Sequence, residues 1–263
     1  MTTGPPTRGT FRPAPGAAAL PRMLLAQTSF ETKLLLRNGE QLLLTAVIPV
    51  ILLALLVAVP VFDTAGYARV DFLVPGILGL AIMSTSFTSL AIATGYERRY
   101  GVLKRLAASP LPRWLLLLAK ALTVLVVQTL QVLLVAGLGA ALGWRPTGSA
   151  VAGLAVLALL LTGSLAFAGL GLLMAGTLRA EATLAAANLV YLLLLVLGGV
   201  VIPLAQFPEA IQPLLVATPT GALTEGLRGV LADGSGPPWS NLGVLAGWVV
   251  LGFAAAARWF RWE

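Results

Sequence analysis

The densest run of charged side chains in this sequence is 96-YERRYGVLKRLAASPLPRW-114. Its clustered basic charge beside apolar residues suits attachment of a partner. Residues 97–106 can form a short helix with Val102, Leu103 and Leu106 on one side and Arg98, Arg99, Lys104 and Arg105 elsewhere; Ser109, Pro110 and Pro112 stop it before Arg113. A short basic amphipathic helix suits insertion into a groove on another protein. The plainer reading is a helix on the lipid surface that obeys the positive-inside rule. A second set of polar residues lies in apolar surroundings: Ser84, Thr85, Ser86, Thr88 and Ser89 in one run, Gln128 and Gln131 on one face of the next, and Asn188 further on. These groups either bond helix to helix or line a path for a solute. Glu225 and Arg228, three apart, can pair on one helix face.

Other chemistries have no residues to carry them. The sequence has no Cys and no His, which removes thiol chemistry and the usual zinc sites. No Gly is followed by Lys, so there is no phosphate-cradling loop, and neither H-E-x-x-H nor G-x-S-x-G occurs. ATP hydrolysis is therefore not expected of this chain, and no cofactor or metal is expected to bind it. A pump driven by an ion gradient buries Asp, Glu, Lys or His in mid-membrane. The apolar runs lack Asp and Glu in their cores, and Lys120, near the start of one run, is expected to snorkel to the inner surface. A separate cytoplasmic ATPase remains as the energy source.

The elements that must position these residues are membrane spans. Of 263 residues 58% are hydrophobic and 10% charged, against about 45–50% and about 25% in soluble domains. Lipid must be the solvent for much of that surface. A span needs about 20 apolar residues, and six runs come close: 42–62, 72–95, 114–142, 150–178, 182–202 and 242–257, the last flanked by Trp239, Trp259 and Trp262. With no water to satisfy backbone groups, such runs are helices. Residues 1–19, rich in Pro, Gly and Ala, are expected to be a disordered cytoplasmic tail ahead of one membrane domain over 20–263. Residues 20–40 mix Leu24, Phe30 and Leu34 with Arg22, Lys33 and Arg37 at helical spacing, as an amphipathic helix in the inner interface does. Residues 203–231 are too apolar for a free loop and are broken by Pro203, Pro208, Pro213 and Pro219; they are expected to form a re-entrant helical hairpin on the outer side. The spacings Gly139–Gly143 and Gly243–Gly247 suit close helix packing.

Orientation follows from the basic residues. With both termini cytoplasmic, 14 of the 17 Lys and Arg residues lie inside, and only Arg69, Arg145 and Arg228 lie outside. That asymmetry needs an even number of spans. It also accounts for the net charge of +7 through anionic lipid rather than nucleic acid.

The stretch E-R-R-Y-G-V-L-K-R-L-A-A-S-P-L-P-R resembles the cytoplasmic connection after the second span in permeases of the type-2 ABC exporter family. Glu97, Arg98, Gly101, Leu103, Leu106, Ser109, Pro110 and Arg113 fit that pattern, whereas Lys104 stands where the family often has an acid. Pro203, Phe207, Pro208, Pro219, Glu225 and Arg228 fit the family's two short outer helices before the last span. The likeness is greatest to small bacterial drug- and antibiotic-export permeases of the daunorubicin-exporter kind. It implies an all-α integral membrane protein with six spans, an N-terminal interfacial helix, a cytoplasmic coupling helix between spans two and three, and the outer hairpin. It also implies a dimer with a second or related permease and two ABC ATPase subunits that carry the ATP and Mg. Export of an amphipathic or hydrophobic substrate such as a drug, lipid or glycan across the cytoplasmic membrane follows. The rival classes are a membrane-embedded lipid-modifying enzyme, for which no carboxylate or His cluster is present, and an assembly subunit with no transport path.

Overall fold

The computed structural model describes residues 18–37, 39, 47–59, 63–64, 66–107, 111–147 and 150–260. Among the described residues all regular secondary structure is helical, with no strand. In chain order the helices are α1 (Leu20–Arg37), α2 (Ile48–Ala58), α3 (Arg69–Arg99), α4 (Val102–Ala107) and α5 (Arg113–Ala141). They continue as α6 (Ala150–Thr177), α7 (Ala180–Leu197), α8 (Gln212–Val216), α9 (Pro219–Leu231) and α10 (Trp239–Trp259). Five of them, α3, α5, α6, α7 and α10, are long and apolar enough to cross a membrane. The first expected span is represented by α2, whose 11 residues make about 17 Å of helix; positions 42–46 and 60–62 of that span lie outside the described residues, as does most of the 1–19 tail.

The second span is the centre of the fold. In its most apolar window 78% of residues are buried, against 33% in α5 and α6 and 17% in α7 and α10. Helices α2, α5, α6, α7 and α9 all pack on it. Lipid tails are as apolar as Leu, so helices associate in a membrane by close packing and hydrogen bonds. Small residues on α3 and α6 allow that approach. A Cβ on Gly76 would lie 2.4 Å from the Val200 carbonyl oxygen, and one on Gly169 would lie 3.0 Å from the Phe253 amide nitrogen where α6 crosses α10. Outward-facing positions are apolar instead: Leu133, Leu154, Leu189 and Val250 are all exposed, the surface that lipid covers.

Several expected boundaries move, each for a local reason. The second span runs on to Arg99 rather than ending near 95, because Glu97, Arg98 and Arg99 find partners on neighbouring elements. The short helix after it is therefore α4, Val102–Ala107, not 97–106. The fifth span stops at Leu197 rather than 202, where Gly198 caps it and Gly199 turns the chain at φ 71°, a left-handed value open to Gly at little strain. Of the two glycine pairs, Gly139 packs on Val74, but Gly143 ends the helix in a turn at φ 95°. Gly243 and Gly247 have no heavy atom within 4 Å of a built Cβ.

Inside α3, Ser84–Ser89 forms a π-helical turn. Ser and Thr hydroxyls compete with the backbone for carbonyl groups, and such turns mark places where a helix departs from regular geometry for a reason. Here the reason is contact: a Cβ on Gly171 of α6 would lie 2.9 Å from the Phe87 carbonyl oxygen. The adjacent residues Thr85 and Ser86 both reach α5.

Candidate functional site

At the end of α3 the chain reverses at Gly101, whose φ of 69° is left-handed, with open space around a built Cβ. The Tyr100 and Gly101 amides bond back to the Tyr96 and Arg98 carbonyls, and the Arg105 side chain donates to the Tyr100 carbonyl at 2.9 Å. This turn sets the direction of α4. Lys104 on α4 is exposed, the main chain places Leu103 and Leu106 on the same helix, Arg113 begins α5, and Pro110 lies outside the described residues.

The three residues before the turn tie α3 to three other elements. Arg98 donates to the Gly176 carbonyl at 2.7 Å and to the Leu178 carbonyl, so it caps the end of α6. Helix C-termini carry unpaired carbonyls and partial negative charge, which a guanidinium satisfies. Arg99 pairs with Glu181 at the start of α7; both are exposed, and such a pair contributes about 0–1 kcal/mol. Glu97 accepts from Lys120 of α5 at 2.7 Å, and Glu31 of α1 accepts from the same ammonium at 3.3 Å. Lys120 does not snorkel: its side chain is 9% exposed and held by two carboxylates. A buried lysine without such partners would be strongly destabilising. Between this base, α4 and the start of α7 lies an open depression of about 440 Å³, lined by Gly95, Arg98, Arg99, Gly101, Lys104, Arg179, Ala180 and Glu181.

The polar residues of the span interiors divide. Thr85 donates to Gln131 at 2.6 Å, the Gln128 amide donates to Ser86 at 2.5 Å, and Ser164 of α6 donates to Gln128 at 2.7 Å. Gln128, Gln131 and Ser84 are all buried. These five bonded residues join α3, α5 and α6. The Thr88 hydroxyl is buried without a hydrogen-bond partner among the described residues. Asn188 stands apart, exposed on α7 among Leu184, Leu189 and Leu192.

On the opposite end of the bundle, Pro203 and Phe207 bracket a single 3₁₀ turn, Leu204–Gln206, and Pro208 leads towards α8. The first limb of the expected hairpin is thus mostly irregular, and only its second limb, α9, is a full helix. Thr218 caps α9 by accepting from the Gly221 amide at 3.0 Å, with Pro219 at its first position. From α9, Thr224 donates to the Gly198 carbonyl at 2.6 Å and Arg228 to the Gly199 carbonyl at 2.8 Å, so α9 satisfies the open end of α7. Arg228 also pairs with Glu225 and stacks over Phe72.

Two partners in these arrangements were not foreseeable. Glu31 sits on a helix that its own periodicity places at the interface, and Ser164 is one of three scattered hydroxyls, with Thr162 and Thr177, in an apolar run. The one available signal was Lys120, a charge inside a span whose partner must come from somewhere.

No curated protein matches the sequence. A family model for the ABC-2 type transporter matches residues 23–232, from α1 through α9, and so takes in both the charged base and α9. With apolar spanning helices built round a central second span, and a family match over most of its length, this chain is a membrane permease component that belongs to the ABC-2 type transporter family.

Proposed function

We propose that the chain is the permease subunit of an ATP-driven exporter, moving an amphipathic or hydrophobic substrate outward across the cytoplasmic membrane. Two permease copies, or one with a related permease, work with two cytoplasmic ATPase subunits that bind ATP and Mg. The 96–113 segment is the coupling element, with Leu103 and Leu106 as apolar anchors in an ATPase groove, Lys104 and Arg113 at its rim, Gly101 and Pro110 setting its ends, and Glu97 and Arg98 fastening it to the spans. One observation carries this reading: the three residues before the Gly101 turn are bonded to α5, α6, α7 and, through Lys120, to α1. A push on α4 therefore reaches four elements at once. Nucleotide can shift the permease between states only through contacts that differ between them; in this reading the contact of α4 with the ATPase supplies that difference, and the bonded base passes it to the spans. The exposed leucines of α1 suit the inner lipid interface. Asn188 on the outer face of α7 suits a protein neighbour, since an amide facing lipid has no hydrogen-bond partner there.

The test is co-expression with candidate ABC ATPases, followed by co-purification and substrate-stimulated ATP hydrolysis. Leu103→Asp is expected to leave an inserted, folded permease that no longer retains or stimulates the ATPase, because hot-spot anchors outweigh rim charges. Full retention and stimulation by Leu103→Asp would show that 96–113 is not the coupling element.

A further inference from the structure

We propose that the cavity between α1, α3 and α5 is a binding site for a lipophilic cation. It measures about 260 Å³ and has mostly apolar walls, including Leu34, Leu90 and Val124. Its charged end is the Glu31–Lys120–Glu97 group. Two carboxylates face one ammonium there, which leaves a single negative charge in excess. The basic residues next along α3 do not cancel it: Arg98 is turned to the end of α6 and Arg99 to Glu181. On α1, Lys33 and Arg37 are exposed.

The bonding is uneven as well. One oxygen of Glu97 takes the Lys120 bond, while Oε2 is buried and accepts no hydrogen bond among the described residues. A carboxylate oxygen shielded from water and unbonded is unfavourable, and a cation arriving at the cavity would relieve it. A second cavity of about 270 Å³ adjoins the first, sharing Leu90, Lys120 and Val124 and walled further by Leu172 and Phe253. Taken together they fall within the size range of ordinary small-molecule sites, about 300–1,000 Å³. The ligand that fits has one positive charge and a hydrophobic body: the charge meets the acidic end and the body fills the apolar walls. As cargo, such a molecule rests on the exporter reading above; the binding itself does not.

The test uses the purified full chain without any ATPase. Tetraphenylphosphonium and tetraphenylborate have nearly the same shape and opposite charge, and binding of each is measured by equilibrium dialysis in neutral detergent. Saturable binding of the phosphonium at one site per chain, at least about tenfold tighter than the borate, is expected. Glu31→Gln and Glu97→Gln should each weaken the phosphonium about tenfold, since either leaves Lys120 one carboxylate and the site no net charge. Leu90→Trp, which fills both cavities, should abolish binding. Equal binding of the two ions would overturn the proposal. So would unchanged phosphonium binding in Glu31→Gln at an unchanged unfolding midpoint, and so would a tightly held phospholipid that the phosphonium fails to displace. Should Glu97→Gln fail to fold, Glu31→Gln decides alone. ATPase stimulation that persists while cation binding is absent sinks this site and leaves the exporter reading intact.

Discussion

The guanidinium of Arg228 lies 3.9 Å from the ring centre of Phe72, and so ties α9 to the first turn of α3. Arg228 is 3% exposed and also holds Glu225 and the Gly199 carbonyl. Arg228→Ala removes all three contacts and is expected to destabilise the protein by about 2–4 kcal/mol. Phe72→Leu loses only the ring contact, about 0.5–2 kcal/mol. Glu225→Gln should do less than Arg228→Ala, because Glu225 is 36% exposed. Thermal unfolding of the three variants in one detergent gives the ranking.

Close helix approach predicts a contrast between glycines. Gly76→Ala places a methyl 2.4 Å from the Val200 carbonyl oxygen, and overpacking of this kind destabilises by about 1–3 kcal/mol. Gly247→Ala meets nothing within 4 Å in a single chain, and helix propensity alone favours it by up to about 1 kcal/mol. Unfolding of the monomeric forms should therefore move in opposite directions. If Gly247→Ala instead weakens self-association in crosslinking, that face of α10 meets a second copy.

The buried bonds of Gln128 predict a structural role. Gln128→Leu leaves Ser86 and Ser164 without their shared partner, at a cost of about 1–2 kcal/mol by the scale of interhelical hydrogen bonds. A stability loss with unchanged substrate preference is the expected outcome. A changed preference at full stability would place the network on the transport path.

Alkaline pH should weaken the contact of α9 with the start of α3 through Tyr67, in the turn before α3. Burial, and then the Asp233 carboxylate beside it, raise its phenol above the ordinary value of 10.0, although the Arg228 guanidinium pulls the other way. A folded-state pKa above the unfolded one means that the native form holds the proton longer. The stabilisation is complete below pH 10.0 and is lost as pH rises beyond it. Tyr67→Phe should flatten that alkaline limb of a stability–pH profile and leave the neutral region unchanged.

Topology can be read with single cysteines, since the chain has none of its own. Lys104→Cys on α4 should react with a membrane-impermeant maleimide only in inside-out vesicles, and Gly234→Cys, after α9, only in intact cells. The reverse pattern would invert the charge-based orientation.

Much of the architecture is legible along the chain because it depends on local composition. Apolar runs of span length require helices in lipid whatever their neighbours are, so α3, α5, α6, α7 and α10 fall where hydropathy puts them. Pro203, Pro208, Pro213 and Pro219 announce broken helix over 203–231, because Pro cannot continue a helix; the start of α9 at Thr218 and the turn at Gly101, inside the expected 97–106 helix, came from the structure. What depends on partners distant in the chain was decided only by tertiary structure. Lys120 could snorkel or pair, and it pairs because α1 folds back to present Glu31, 89 positions away. Gln128 and Gln131 read in the sequence only as polar groups on one helix face; the π-helical turn in α3 and Ser164 on α6 supply the partners that they bond. Arg98 reads as one more positive charge on the inner surface, yet its guanidinium caps the end of α6. Side-chain charge and span length are written locally, but the partner of a polar group buried among helices is chosen by which helices meet.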